Sequence, residues 1–256
     1  IQIGSKSNKI GNQTVDSGII SIENKNTGTK FLWDSIDHVL PDSSIVPIKE
    51  WGMKTNDYFH MNAVRILRDG NYLASARHTQ TIMKIDKSSG EILWHMGKGS
   101  LNDFKFLNDP YNGFSHQHAP EELDNSNILV WDNGIDSIEN GSRVCEYEID
   151  EKNLIATLIW SKEFNDLQAN VAGNCFQINE NNYIAAFGSQ GYIEEFNKDG
   201  TKMYIIGEDG DDVNEYHLTT GYDLSTASHD SVFSVSSQAS NPRHVRFNYE
   251  GTKMYI

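Results

Sequence analysis

Three stretches carry side chains suited to chemistry: "DYFHMNAV" with His60 and Asn62, "ASARHT" with Arg77 and His78, and "GFSHQHAP" (113–120) with His116 and His118. An imidazole can donate, accept or attack, and a guanidinium forks onto anionic oxygens through two N–H groups. Together they suit a site that holds and neutralises a tetrahedral oxyanion. Metal binding is the competing use of histidine. On an extended strand, residues two apart face the same way, which puts His116 and His118 on one face and Gln117 on the other. A zinc centre needs three or four ligands, and this pair supplies two. No nearby Cys or carboxylate completes a recognisable spacing, so neither metal nor cofactor is expected. The plain alternative for each histidine is a core position satisfied by hydroxyls and backbone.

Other chemistries find no support. There is no Gly-Xaa-Ser-Xaa-Gly elbow and no phosphate loop of the Walker type. "GEDGDDVNEY" (207–216) is acidic like a calcium loop. It lacks the spacing and the terminal Glu of that loop, and it reads as a solvated charge run.

The elements that must position these groups are strands. Short alternating runs, turns rich in Asn, Asp and Gly, and second runs ending on an aromatic recur along the chain. Examples are "GIISIENKNTGTKFLWDS" (18–35), "NYLASARHTQTIMKIDKSSGEILWHMG" (71–97) with a hairpin turn at Lys87–Gly90, and "SRVCEYEIDEKNLIATLIWSKE" (142–163). "FNKDGTKMYI" and "FNYEGTKMYI" are near-copies. The units recur about every 45–65 residues, close to the spacing of four-stranded propeller blades. The expectation is all-β: one β-propeller domain over 1–256 with five to six four-stranded blades, cut at its C-terminus. Blade-like repeats fall near 18–35, 60–97, 115–163, 171–207 and 229–256, and a β-sandwich is the alternative. Segments 34–60 and 98–113 read as loops between blades, where binding groups concentrate.

Composition bounds the partners. The 256 residues, 38% of them hydrophobic, can bury a sizeable core, and a net charge of −15 argues against nucleic acid or an anionic membrane as the main partner. No apolar run is long enough for a membrane span. Ile1 is not an initiator Met and "GTKMYI" ends mid-strand, so a mature or trimmed chain is expected. Cys145 and Cys175 either form one disulfide or remain buried thiols, and sequons occur at Asn12 and Asn140.

The consecutive motifs "DYFHMNAV", "GNYLASARHTQTIMKID", "GEILWHMG", "FSHQHAP", "ILVWDNG", "SRVCEYEID" and "GNCFQINENNYIAAFGSQGYIEEFNKDG" resemble, in order, those of the arylsulfotransferase family of β-propeller proteins. The likeness covers about residues 18–207. It implies a six-bladed propeller with a polar central channel. It also implies sulfuryl transfer from an aryl sulfate to a phenol without the nucleotide donor PAPS, through a transiently sulfated histidine. By position, His60 and His118 match sulfate-pocket histidines, Arg77 and His78 match a pocket-lining pair, Asn62 matches the Asn beside the first histidine, and Arg143 falls on the "SR" strand. Catalysis is thus assigned to His60, His118 and His78, and substrate binding to Arg77, Asn62 and Arg143.

Departures accompany the likeness. Where the family has its sulfated histidine stand Gln190 and Gly191, and Ile135-Asp136-Ser137 stand where an arginine follows "DNG". Ala63 replaces a serine and His116 is an addition, while His217, His229 and His244 match no motif. Two accounts follow. One is a transferase acting on small aryl sulfates and phenols with another histidine as nucleophile. The other is a catalytically silent propeller serving as a binding, surface or assembly module. The family's habit of export implies an extracellular or periplasmic home, and an open propeller edge implies either more chain or a protein partner there.

Overall fold

Among the described residues, every regular element of the computed structural model is a β-strand or a short 3-10 turn. The structure describes residues 1–256 except 11, 24, 27, 29, 45–55, 137–140, 166, 189–190, 208–211, 222–223, 238–245, 248–253 and 256. Gln190, Asn140 and His244 therefore lie outside the described residues. The chain divides into two compact units, residues 1–168 and 169–256.

The first unit holds three sheets. In the first, β1 (Gln2–Ile10), β2 (Gln13–Glu23) and β3 (Lys30–Asp34) run antiparallel, and β4 (Asn56–Asp57) pairs parallel with β2. The second is a four-stranded antiparallel meander of β5 (Met61–Ile66), β6 (Tyr72–Ala76), β7 (Thr81–Ile85) and β8 (Ile92–Gly97). The third contains β9 (Lys105–Leu107), β10 (His118–Glu122), β11 (Ile128–Asp132), β12 (Gly141–Asp150) and β13 (Ile155–Asn165), in the order β10-β11-β12-β13-β9.

In the second unit, β14 (Asn174–Gln177), β15 (Asn182–Ala186), β16 (Ile193–Asn197), β17 (Lys202–Gly207), β18 (Asp212–Leu218) and β19 (Ala227–Ser234) form one antiparallel sheet in sequence order. A last hairpin pairs β20 (Arg246–Phe247) with β21 (Met254–Tyr255).

The turns follow from their polar residues. Asp86 Oδ1 accepts the backbone N–H groups of Ser88 and Ser89 at 2.9 and 2.7 Å, and Gly90 takes φ +78 to close the predicted hairpin. Asp150 and Asn179 cap their own hairpins in the same way. Strands β6, β7 and β11 are buried along their whole length, because both faces are covered. One core cluster, including Ile20, Trp33, Phe59, Tyr72 and Met83, joins the first sheet to the second. Another, including Leu73, Ile82, Trp94, Phe114, Val130 and Tyr147, joins the second to the third.

Three expectations change. The segment 98–113 is not all loop, since β9 lies in it and pairs parallel with β13 through Ile155–Lys105 and its neighbours. Segment 34–60 contains 3-10 turns at Ser35–Asp37 and Pro41–Ser43 as well as β4. The strand begun at Ala227 is the outermost strand of the preceding sheet rather than the start of a separate one. Cys145 and Cys175 are both buried and form no disulfide. Among the described residues, no helix is long and apolar enough to cross a membrane.

Candidate functional site

The pairing of β5 with β6 puts Met61 opposite Ala76, so the residue before one strand meets the residue after the other. Arg77 N donates to His60 O at 3.0 Å, and His78 N donates to Phe59 O at 3.3 Å. His60 sits at φ +50, a left-handed conformation that non-glycine residues adopt only under constraint. The constraint is Asp57: its Oδ1 accepts the His60 backbone N–H at 2.9 Å, and its Oδ2 lies 2.5 Å from His60 Nδ1. The backbone oxygen of Asp57 lies 2.6 Å from His78 Nδ1. One aspartate thus orients two imidazoles, whose ring centroids are 4.6 Å apart. The Tyr58 hydroxyl anchors this turn, donating to Val39 O at 3.0 Å and contacting Ser35 Oγ at 2.8 Å.

The third stretch arrives from the neighbouring sheet. Gln117 is fully buried, and its Nε2 donates to Ser75 Oγ, Ala76 O and Thr81 O at 3.1, 3.1 and 2.9 Å. Asn62 Nδ2 donates to Gln117 O at 2.7 Å, while its Oδ1 is buried with no hydrogen-bond partner. Asn62 is therefore a strap between sheets, with one acceptor atom left over. His116 does not extend the strand as expected: it sits at φ +53, and β10 starts at His118. Its Nδ1 lies 3.3 Å from both Asp136 Oδ2 and Gln80 Nε2, and Gln80 donates to Asp136. His118 Nδ1 lies 2.8 Å from Asn133 Oδ1 and 3.1 Å from His116 O.

The four side chains His60, Arg77, His78 and His118 lie close enough to act on one another electrostatically. Burial, then the Arg77 charge, pull His116 down to about 4. Burial pulls His118 down to about 4 as well, with Arg77 and His60 contributing. His78, 9% exposed, is lowered by burial first and then by the His60 charge. These rings are neutral at pH 7. Burial also lowers the Arg77 guanidinium, while Asp136 and Asp57 raise it. The Asp57 carboxyl is pushed up by burial, but hydrogen bonding and charge from His60, with the His78 charge, leave it below its ordinary value. An open cleft of about 260 Å³, lined by Ile3, Gly4, Ser5, Ser17, Gly18, Asp57, His60 and Met61, gives access to His60.

Arg143 stands apart from this set, which corrects its expected substrate-binding role. It has no exposed surface, and its guanidinium is committed to protein acceptors. Nε donates to Asp132 Oδ2 at 2.9 Å, Nη1 to Asp109 Oδ1 at 2.9 Å, and Nη2 to Asp109 Oδ2 and Gly113 O at 3.2 and 3.0 Å. Asp132 in turn accepts from Ser115 N and Gly134 N, both at 2.9 Å. The cage thereby fixes both chain segments that flank His118, the one through Ser115 and the one bearing Asn133. Arg143 is a positioning residue. Gly191 sits at φ +65 in the second unit, where His229 Nε2 lies 3.2 Å from Asn214 Oδ1.

Asp57, Gln80, Asn133 and Asp136 were not anticipated from sequence. For Asp57 a signal existed: an acidic residue three positions before a histidine can cap the turn and hold the ring.

The family model for arylsulfotransferase (ASST) matches residues 2–234. The chain belongs to the arylsulfotransferase family. No curated protein sequence matches it. Among solved structures, a protein of unknown function from Bacteroides caccae is 14% identical at a TM-score of 0.41, with 85% of this chain and 69% of that chain covered. A putative 6-phosphogluconolactonase from Bacteroides uniformis is 10% identical at a TM-score of 0.41, covering 94% and 70%. The Cps50 (Swd1) β-propeller domain of Myceliophteria thermophila is 11% identical at a TM-score of 0.42, covering 86% and 64%.

Proposed function

We propose that this arylsulfotransferase-family chain is a propeller protein that moves a sulfuryl group from an aryl sulfate to a phenol, with His60 as nucleophile. The observation that carries the reading is the Asp57–His60 pair beside Arg77. A carboxylate can only accept, so His60 Nδ1 donates to Asp57 and Nε2 is the nitrogen left to attack sulfur, on a residue that lines the cleft. Attack of Nε2 on sulfur forms the N–S bond as the aryl O–S bond breaks and the phenolate leaves. The positive charge gained by the ring is balanced by Asp57. The acceptor oxygen then attacks sulfur, the N–S bond breaks, and the acceptor's proton passes to Nε2 of His78 or His118. Arg77 steadies the sulfonyl oxygens. The reaction needs no metal or cofactor, and the family's export supports an extracellular or periplasmic setting.

A second reading, a catalytically silent binding or assembly module, is favoured by one feature: the acidic Asp136 stands in the segment where the family carries an arginine. Incubation with 4-nitrophenyl sulfate and phenol separates the two. Transfer releases nitrophenolate, and His60→Ala or His118→Ala lowers kcat/KM by about 10²-fold or more while the fold is kept. Folded protein that stays silent from about pH 5 to 9 sinks the transferase reading.

A further inference from the structure

The cleft beside His60 has a wall that the transfer chemistry leaves unused. Strand β1 is exposed along nearly its whole length, yet Ile3 and Ser5 line the same cleft as Asp57 and His60. The register shows which β1 residues face inward. Ile3 pairs with Ile20 and Ser5 with Gly18, and residues paired directly across two strands share a face of the sheet. Ile20 packs in the core cluster with Phe59 and Met61. A Cβ added at Gly18 would lie 2.6 Å from Phe59 Cδ1 and 3.0 Å from Met61 Cβ. Ile3 and Ser5 therefore stand on the face turned to residues 59–61, and Gln2, one position away, stands on the other.

The lining chemistry narrows the occupant. Ile3 stays 41% exposed on this inward face, and Met61 beside it is half-buried. An alkyl group and a thioether suit contact with an aromatic ring. Among the described residues, no lysine or arginine lines the cleft, so it offers no fixed cation to a sulfate. Arg77 supplies one outside the cleft, its backbone N–H donating to His60 O at 3.0 Å. At about 260 Å³ the cleft is smaller than the range of about 300–1,000 Å³ usual for drug-sized ligands. That space suits one ring with a small substituent rather than a fused polycycle.

We propose that this cleft seats the aryl ring of donor and acceptor in turn, and that Ile3 and Ser5 of β1 decide which rings are admitted. The leaving phenolate and the incoming phenol share one place because one nucleophile serves both half-reactions. The catalytic role rests on the transfer reading with His60 as nucleophile, whereas binding of a single-ring phenol rests on the cleft alone.

The test uses the full chain and reads binding and turnover separately. Binding of 4-fluorophenol is followed by fluorine NMR. Turnover is measured with 4-nitrophenyl sulfate, which has one ring, and with 4-methylumbelliferyl sulfate, which has two fused rings. The phenol is expected to saturate the protein at about 1 mM, as befits so small a ligand. Ser5→Phe fills the cleft and weakens binding by at least about tenfold, while Gln2→Phe, the same bulk on the opposite face, leaves it unchanged. Ile3→Ala weakens binding by about tenfold and, in a protein that turns over, shifts the kcat/KM ratio toward the fused-ring sulfate by a similar factor, through KM. No saturation at about 10 mM phenol overturns the proposal. So does normal binding by folded Ser5→Phe, equal loss in Gln2→Phe, or an unchanged substrate ratio in an active Ile3→Ala protein. A silent protein that binds the phenol in the expected pattern loses only the transfer reading. An active one that is indifferent to Ser5→Phe loses only the aryl cleft.

Discussion

A guanidinium with no exposed surface must find its counter-charges inside the protein, and Arg143 finds Asp109 and Asp132. The energetic consequence is asymmetric. Removing the cation leaves two desolvated carboxylates facing each other, which costs more than the intact cage contributes. Arg143→Met is expected to destabilise the first unit by about 3–5 kcal/mol at pH 7, measured by urea unfolding. Adding Asp109→Asn to that variant should recover part of the loss, because one orphaned charge is gone; simple additivity of the two changes would mean that the pair does not interact. The same cage explains what sequence could and could not reveal. That His60, Arg77 and His78 lie near one another was legible because they adjoin the paired ends of β5 and β6 in a recognisable motif. Arg143 shares that kind of position, yet a sequence does not say whether its neighbours along the fold are acidic. Asp57, Asn133 and Gln80 escaped notice because they act through turns and positive-φ backbone, where period-two alternation carries no information.

Hairpins were legible because their turns are written in Asp, Asn and Gly. The near-copies at 196–205 and 247–256 make the point: Phe196 pairs with Met203 and Phe247 pairs with Met254, the same register at the same spacing. Strand β9 was missed because three residues pairing parallel with a distant strand leave no local pattern. Buried acidic positions in strands leave no such local pattern. Glu195 of β16 is buried, and the register places it in line with Tyr204 and Glu215 on the next two strands. Burial, then the charge of Glu215, push its carboxyl up to about 7, with Lys202 opposing. An ordinary glutamate titrates near 4.3 when unfolded. Because the folded value is raised, the stability this group contributes is fully present below the unfolded value and is lost as pH rises toward 7. Glu195→Gln should therefore raise the melting temperature at pH 8 by about 2–6 °C and leave it unchanged near pH 4. An unchanged melt at pH 8 would show that the side chain reaches water.

At the scale of the whole molecule, the two units are expected to respond to acid in opposite senses. Of the six histidines in residues 1–168, four, His78, His95, His116 and His118, are each lowered chiefly by burial, the last two to about 4. An unfolded histidine titrates near 6.5, so between pH 6.5 and about 4 the unfolded chain takes up protons that the folded unit refuses. Stability of this unit accordingly falls as pH falls through that window. The carboxyls of Glu121 and Asp132, raised by burial, have the opposite sign. Asp57 and Asp109, held below their ordinary values, add their loss only at lower pH. In residues 169–256, Glu195 has the reverse sign, and its contribution grows as pH falls from 7. Hydrogen exchange at pH 7 and pH 5, corrected for the intrinsic rate, reads both units in one experiment. Protection should drop in β5–β8 and β10–β12 and rise in β16–β18. If both regions move together, His78, His116 and His118 are not held from solvent by their contacts with the Asp57 carbonyl, Asp136 and Asn133, and they are not the neutral rings that the transfer chemistry needs at pH 7.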